Sequence, residues 1–125
     1  MKQVLVIDDD VDVRMLIREF LERDGYAVSD APDGEAGLKL CRQVPFDLII
    51  VDIFMPEKEG LETIKEIRLD YPNCKIIAIS GGGSTKELSY LSLARSLGAT
   101  NVLAKPFMRE EILRVVKDTL RNKRS

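Results

Sequence analysis

Apolar positions along the chain follow two rhythms that alternate. Short unbroken runs, Val4-Leu5-Val6-Ile7, Leu48-Ile49-Ile50-Val51 and Ile76-Ile77-Ala78-Ile79, are rich in β-branched residues and read as strands buried on both faces. Tyr26 to Asp30 and Asn101 to Ala104 add two shorter strands. Between the strands the spacing becomes helical. Val13, Leu16, Ile17, Phe20 and Leu21 predict the inward stripe of a first helix, with Arg14, Arg18, Glu19 and Glu22 on its other face and Asp24-Gly25 at its end. Pro32-Asp33-Gly34 is turn chemistry, and a second helix is predicted over Glu35 to Val44, ended near Pro45. Leu61, Ile64, Ile67 and Arg68 mark a third helix, broken at Pro72-Asn73. A fourth runs from about Thr85 to Leu97 with Gly98 at its end, after the glycine run Gly81-Gly82-Gly83-Ser84. A fifth runs from about Met108 to Arg121, with Ile112, Leu113, Val116 and Leu120 inward.

Strands that alternate with helices need crossover connections. The expected fold is therefore α/β, a parallel sheet with helices on both faces. The chain's 125 residues suit one domain with a real core, and no linker or low-complexity segment divides it. A net charge of −2 removes the basic field that nucleic acid or an anionic membrane would call for. The basic end Arg121-Asn122-Lys123-Arg124 reads as a helix terminus, where cations suit the dipole. Cys41 and Cys74 are too few for a disulfide scaffold or zinc site and read as small packed hydrophobes in a reducing compartment. No apolar run approaches the roughly 18 residues of a membrane span, and no signal-peptide core opens the chain. A soluble, cytoplasmic protein is expected. The absence of histidine excludes histidine-based catalysis or ligation by this chain.

The chemistry lies at the strand ends. Asp8 and Asp9 follow the first strand, Asp52 ends the third, Ser80 the fourth and Lys105 the fifth. In open α/β sheets ligands bind outside the carboxyl ends of the strands, so these groups should meet at one edge. Three crowded carboxylates repel, and a hard divalent cation relieves them; oxygen ligands with room for water and phosphate favour magnesium. Lys105 would draw in a phosphoryl group, the Ser80 hydroxyl would hydrogen-bond one of its oxygens, and Asp52 would accept it as an aspartyl-phosphate. A helix cap accounts for one acid, either Asp10 or Asp12, but not for the three of Asp8-Asp9-Asp10. Ser80 has a turn-forming serine as its rival reading. The glycine run lacks the spacing of a nucleotide phosphate loop.

These residues, in this order, resemble the receiver domain of two-component response regulators, the chemotaxis-regulator type included, over essentially the whole chain. The acidic pair Asp8-Asp9, Asp52-Ile53-Phe54-Met55-Pro56 with Gly60 following, the hydroxyl at Ser80 and Lys105-Pro106-Phe107 carry the resemblance. It implies a flavodoxin-like, doubly wound sheet of strand order 2-1-3-4-5 with five flanking helices. It implies that Asp9, Asp52 and the backbone carbonyl of Phe54 ligate magnesium (manganese able to substitute), with Asp8 helping through water. It also implies a phosphoryl donor that is a histidine kinase or histidine phosphotransfer protein, and a cis bond before Pro106 that helps to aim Lys105. Family members commonly carry an aromatic three positions before the lysine. Here that residue is Val102, which leaves Tyr90 and Phe107 as the aromatic candidates. Phe54 and Gly82 hold places that tune dephosphorylation in the family.

The expectation is thus a single receiver domain over residues 1–125 with no output domain, a switch and not a metabolic enzyme. Phosphorylation would change the surface of the fourth helix, fifth strand and fifth helix for a protein target, in a monomer or a weak phosphorylation-dependent dimer. Two rivals belong to other classes. A phosphatase of the haloacid dehalogenase type would place a second acid two residues after its nucleophile, where Phe54 stands. A phosphorylation-independent docking module would keep the acids for stability alone.

Overall fold

The computed structural model describes residues 1–53, 59–81 and 92–121. Strand β1 (Gln3–Ile7) leads into helix α1 (Val11–Arg23), and β2 (Ala27–Ala31) into α2 (Gly34–Cys41). Next come β3 (Leu48–Asp52), α3 (Glu59–Asp70) and β4 (Lys75–Ser80), then α4, described as helix at residues 92–97. β5 (Asn101–Ala104) and α5 (Arg109–Arg121) complete the alternation. The strands pair in parallel in the order β2-β1-β3-β4-β5, the doubly wound, flavodoxin-like arrangement expected.

Two apolar layers hold the sheet. Leu5, Ile7, Ile49, Val51, Ile76 and Ala78 pack on one side with Cys41 of α2, Ile64 and Ile67 of α3, and Ala94 of α4. Val4, Val6, Leu48, Ile50, Ile77 and Ile79 pack on the other with Ile17 and Leu21 of α1 and Ile112 and Val116 of α5. Neighbouring residues of each strand enter opposite layers because side chains alternate along a strand. This is why the central strands read as unbroken apolar runs.

The starts of α1 and α2 are set by acids. Asp10 caps α1, its side chain accepting the Asp12 N–H at 2.9 Å, and Asp33 caps α2 by accepting the Ala36 N–H at 2.8 Å. Gly25, at φ 94°, turns the chain out of α1 in a conformation that suits glycine. The predicted second helix ends earlier than expected, at Cys41 and not Val44. Val44 precedes Pro45, which disfavours the helical region there, and a turn at Arg42 and Gln43 takes over.

The predicted stripe of α1 also needs correction. Leu16 is exposed, while Ile17 and Leu21 are fully buried and Val13 and Phe20 pack partly. Leu16 lies about 100° round the helix from Ile17, at the edge of the buried face. Arg14, expected outside, lies about 60° to the other side and its side chain is only 13% exposed. Cys41 and Cys74 are free thiols packed in the core layer, as read from the sequence. Burial pushes them up to about 11 and about 12 respectively, so both stay protonated. Phe54 with its predicted carbonyl ligand, Pro56, Gly82, Gly83, Ser84, Tyr90 and the start of the fourth helix lie outside the described residues.

Candidate functional site

The order of the strands places β1 and β3 side by side, with crossovers leaving them in opposite directions. A crevice opens at the carboxyl ends of two strands wound this way. Asp8 follows β1 there and Asp52 is the last residue of β3. Both are buried, at 1% and 3% exposure, whereas Asp9 faces solvent. Carboxylate oxygens of Asp8, Asp9 and Asp52 lie within 4.8 Å of one another, and the sequence reading of these three acids as one cluster holds.

Lys105 reaches into this cluster from the end of β5. Its Nζ donates to Asp8 Oδ2 at 3.2 Å and to Asp52 Oδ2 at 3.4 Å. Its backbone N–H donates to the Ser80 carbonyl, which ties the end of β5 to the end of β4, and the Lys105–Pro106 bond is cis. Ser80 is completely buried, and its Oγ has no hydrogen-bond partner among the described residues. A buried hydroxyl without an acceptor is uncommon and marks a place where an oxygen is wanted.

The electrostatics follow from crowding. Burial pushes the Asp8 carboxyl from 3.8 up to about 6; the Asp10 N–H, donating to Asp8 Oδ1 at 2.9 Å, works against that, as does Lys105, while the Asp52 charge adds to it. For Lys105, burial works to lower the ammonium, but the attraction of Asp52 and Asp8 outweighs it and holds the group above its ordinary value. One ammonium among three carboxylates leaves negative charge uncompensated. Three convergent oxygen donors, one of them open to solvent, fit a hard divalent cation that keeps part of its water shell.

The backbone of the site is set by close packing. A Cβ on Gly60, at the start of α3, would overlap the Asp52 carbonyl oxygen and the Ile53 Cα. Only glycine lets α3 begin this near to the end of β3. Two residues that sequence reasoning left out also belong to the site. Arg14 donates through Nη1 to the Asp8 carbonyl at 2.7 Å and through Nε to Asp30 Oδ2 at 2.8 Å. No spacing along α1 or β2 signals this pair, since its meeting depends on how α1 lies over β2. A cavity of about 560 Å³ at the other edge of the sheet, lined in part by Cys41, Phe46, Asp47, Tyr71 and Cys74, touches none of these groups.

The family model of the response regulator receiver domain matches residues 4–117. The chain belongs to that family. Among curated relatives of this receiver domain, the transcriptional regulatory protein CpxR of Klebsiella pneumoniae is 36% identical over 121 residues, covering 97% of this chain and 50% of that protein. The probable chemotaxis protein CheY of Rhizobium etli is 35% identical over 111 residues, covering 88% of this chain and 85% of that protein. The receiver domain thus spans about half the length of the CpxR relative and most of the CheY one. Among solved structures, the chemotaxis protein CheY4 of Vibrio cholerae superposes with a TM-score of 0.86 at 30% identity, over 95% of this chain and 98% of that one. Receiver domains are signalling switches of two-component systems. Among the described residues, no helix of this one is long and apolar enough to cross a membrane.

Proposed function

We propose that this receiver domain accepts a phosphoryl group on Asp52 from a phosphohistidine donor, and that the phosphoryl group controls its binding to a target protein. The observation that supports this most directly is the convergence of Asp8, Asp9 and Asp52 with Lys105, together with the buried Ser80 hydroxyl, which has no hydrogen-bond partner among the described residues. A carboxylate oxygen of Asp52 attacks phosphorus; the phosphorus–nitrogen bond breaks, and the donor imidazole leaves with the electron pair and takes a proton from solvent. A magnesium ion held by Asp9 and Asp52, with Asp8 close by, would supply neutralisation of the charge that develops on the phosphoryl oxygens. The Lys105 ammonium turns from Asp8 toward the new phosphoryl oxygens, and the Ser80 hydroxyl donates to one of them.

In this reading the donor is a sensor histidine kinase or a histidine phosphotransfer protein, and the phosphohistidine is not one of these 125 residues, which include no histidine. Val11, Met15 and Met108 are exposed apolar residues on the two segments that flank Asp9 and Lys105, and they offer the donor an apolar rim beside the acceptor. The output side is α4, β5 and α5, to which Ser80 and Lys105 are directly joined. No role as a metabolic enzyme is required by this chemistry.

Intact mass after incubation with magnesium and acetyl phosphate tests the reading. One phosphoryl adduct is expected, dependent on magnesium and missing from Asp52→Asn. No adduct, together with no binding of beryllofluoride, would leave the docking-module reading in its place.

A further inference from the structure

The Asp8–Asp9 peptide sits between the two buried and exposed acids, and it is held by groups that the phosphoacceptor chemistry does not use. The preceding peptide is pinned to β2, the Asp8 N–H donating to the Ala31 carbonyl at 3.1 Å. The Asp8 carbonyl accepts from Arg14 Nη1 at 2.7 Å. Asp9, by contrast, has no side-chain hydrogen bond among the described residues, so where its carboxylate can reach is decided by the position of its backbone together with its own rotamer. Rotation of the Asp8–Asp9 peptide would swing that carboxylate away from Asp52.

Arg14 is itself held. Its Nε donates to Asp30 Oδ2 at 2.8 Å, and Asp30 Oδ1 accepts from Arg18 Nη1 at 2.8 Å. The guanidinium serves two partners in one plane, the Asp30 carboxylate and the Asp8 carbonyl. A lysine ammonium, a point charge without a fork, cannot reproduce both contacts. Asp30 has a second effect. It neutralises a cation that would otherwise stand uncompensated next to a site for another cation.

We infer that Arg14, oriented by Asp30, is a positioning residue for the cation-binding carboxylates: it locks the Asp8–Asp9 peptide so that Asp9 meets Asp52 in advance of any ion. The inference rests on the phosphoacceptor reading above and adds residues to it. Groups that orient metal ligands without touching the metal typically change affinity by about 10- to 100-fold when removed.

The test measures the magnesium dissociation constant of the unphosphorylated protein by calorimetry and the Asp9 amide resonance of the metal-free protein. Arg14→Met, Arg14→Lys, Asp30→Asn and the Arg14→Met/Asp30→Asn pair are compared with Arg114→Met, which removes an arginine from the exposed face of α5. Arg14→Met and Asp30→Asn are each expected to weaken magnesium about tenfold, and the pair no further than the worse single change. The Asp9 resonance should shift in both, Arg14→Lys should stay close to Arg14→Met, and excess magnesium should restore phosphorylation by acetyl phosphate. Affinities within about twofold of Arg114→Met, or full rescue by lysine, would overturn the inference while leaving the phosphoacceptor intact. If Arg14→Met does not fold, Asp30→Asn decides alone, because it keeps the shape of the side chain. A wild-type protein that neither binds magnesium nor takes a phosphoryl group would remove the reading and this inference together.

Discussion

Asp8 illustrates how one residue can cost stability to serve a site. In the native protein its carboxyl keeps a proton up to about pH 6, whereas in the unfolded chain it releases it near 3.8. Between those values the native state binds more protons than the unfolded one, so stability falls as pH rises, and above about 6 the whole cost is present. Asp8→Asn removes the charge and keeps an oxygen for the Asp10 N–H. Calorimetric melting should find Asp8→Asn more stable than wild type above about pH 6 and no more stable below about pH 4, with magnesium narrowing the difference at neutral pH. A melting temperature for Asp8→Asn below that of wild type at pH 7 without magnesium would contradict this account.

At the scale of elements, the approach of α3 to β3 is the tightest constraint at the site. Gly60→Ala forces the start of α3 off the Asp52 and Ile53 backbone. A loss of about 1–3 kcal/mol is expected in urea unfolding, with slower phosphorylation of Asp52 by acetyl phosphate. An alanine variant with unchanged stability would mean that α3 can shift without disturbing β3. Most elements were legible in the sequence because double burial writes itself as an unbroken β-branched run, as in Leu48-Ile49-Ile50-Val51, and a helix as a spaced stripe. The departures are local. Leu16 met the spacing but sits at the margin of the buried face, and the second helix stopped short of the residue before Pro45. Asp9, Asp52, Ser80 and Lys105 could be named because each lies at or just past the carboxyl end of a strand. Arg14 and Asp30 could not, because their meeting depends on how α1 lies over β2, which no spacing along one element encodes.

For the whole molecule, the sheet joins the site to one flank more than to the other. Ser80 pairs with Ala104 across β4 and β5, and the Lys105 N–H donates to the Ser80 carbonyl. Amide exchange with beryllofluoride and magnesium should therefore change in β5 and α5 and leave α2 near its resting rate. Equal changes in α2 and α5 would argue against a directed output surface. The contacts that complete the site also have an unusual reach along the chain: Lys105 meets Asp8 across 97 residues and Asp52 across 53, joining the ends of strands that are not neighbours in the sheet. Contacts of such separation are entropically late to close during folding. A refolding chain can recover helical signal and collapse early, but an acceptor aspartate beside its lysine exists only once the first, third and fifth strands are in register. Under the proposed reading, reactivity toward a phosphodonor would therefore serve as a clock for the last stage of folding, and a nascent chain would stay silent to a phosphohistidine donor until the fifth strand had emerged and docked.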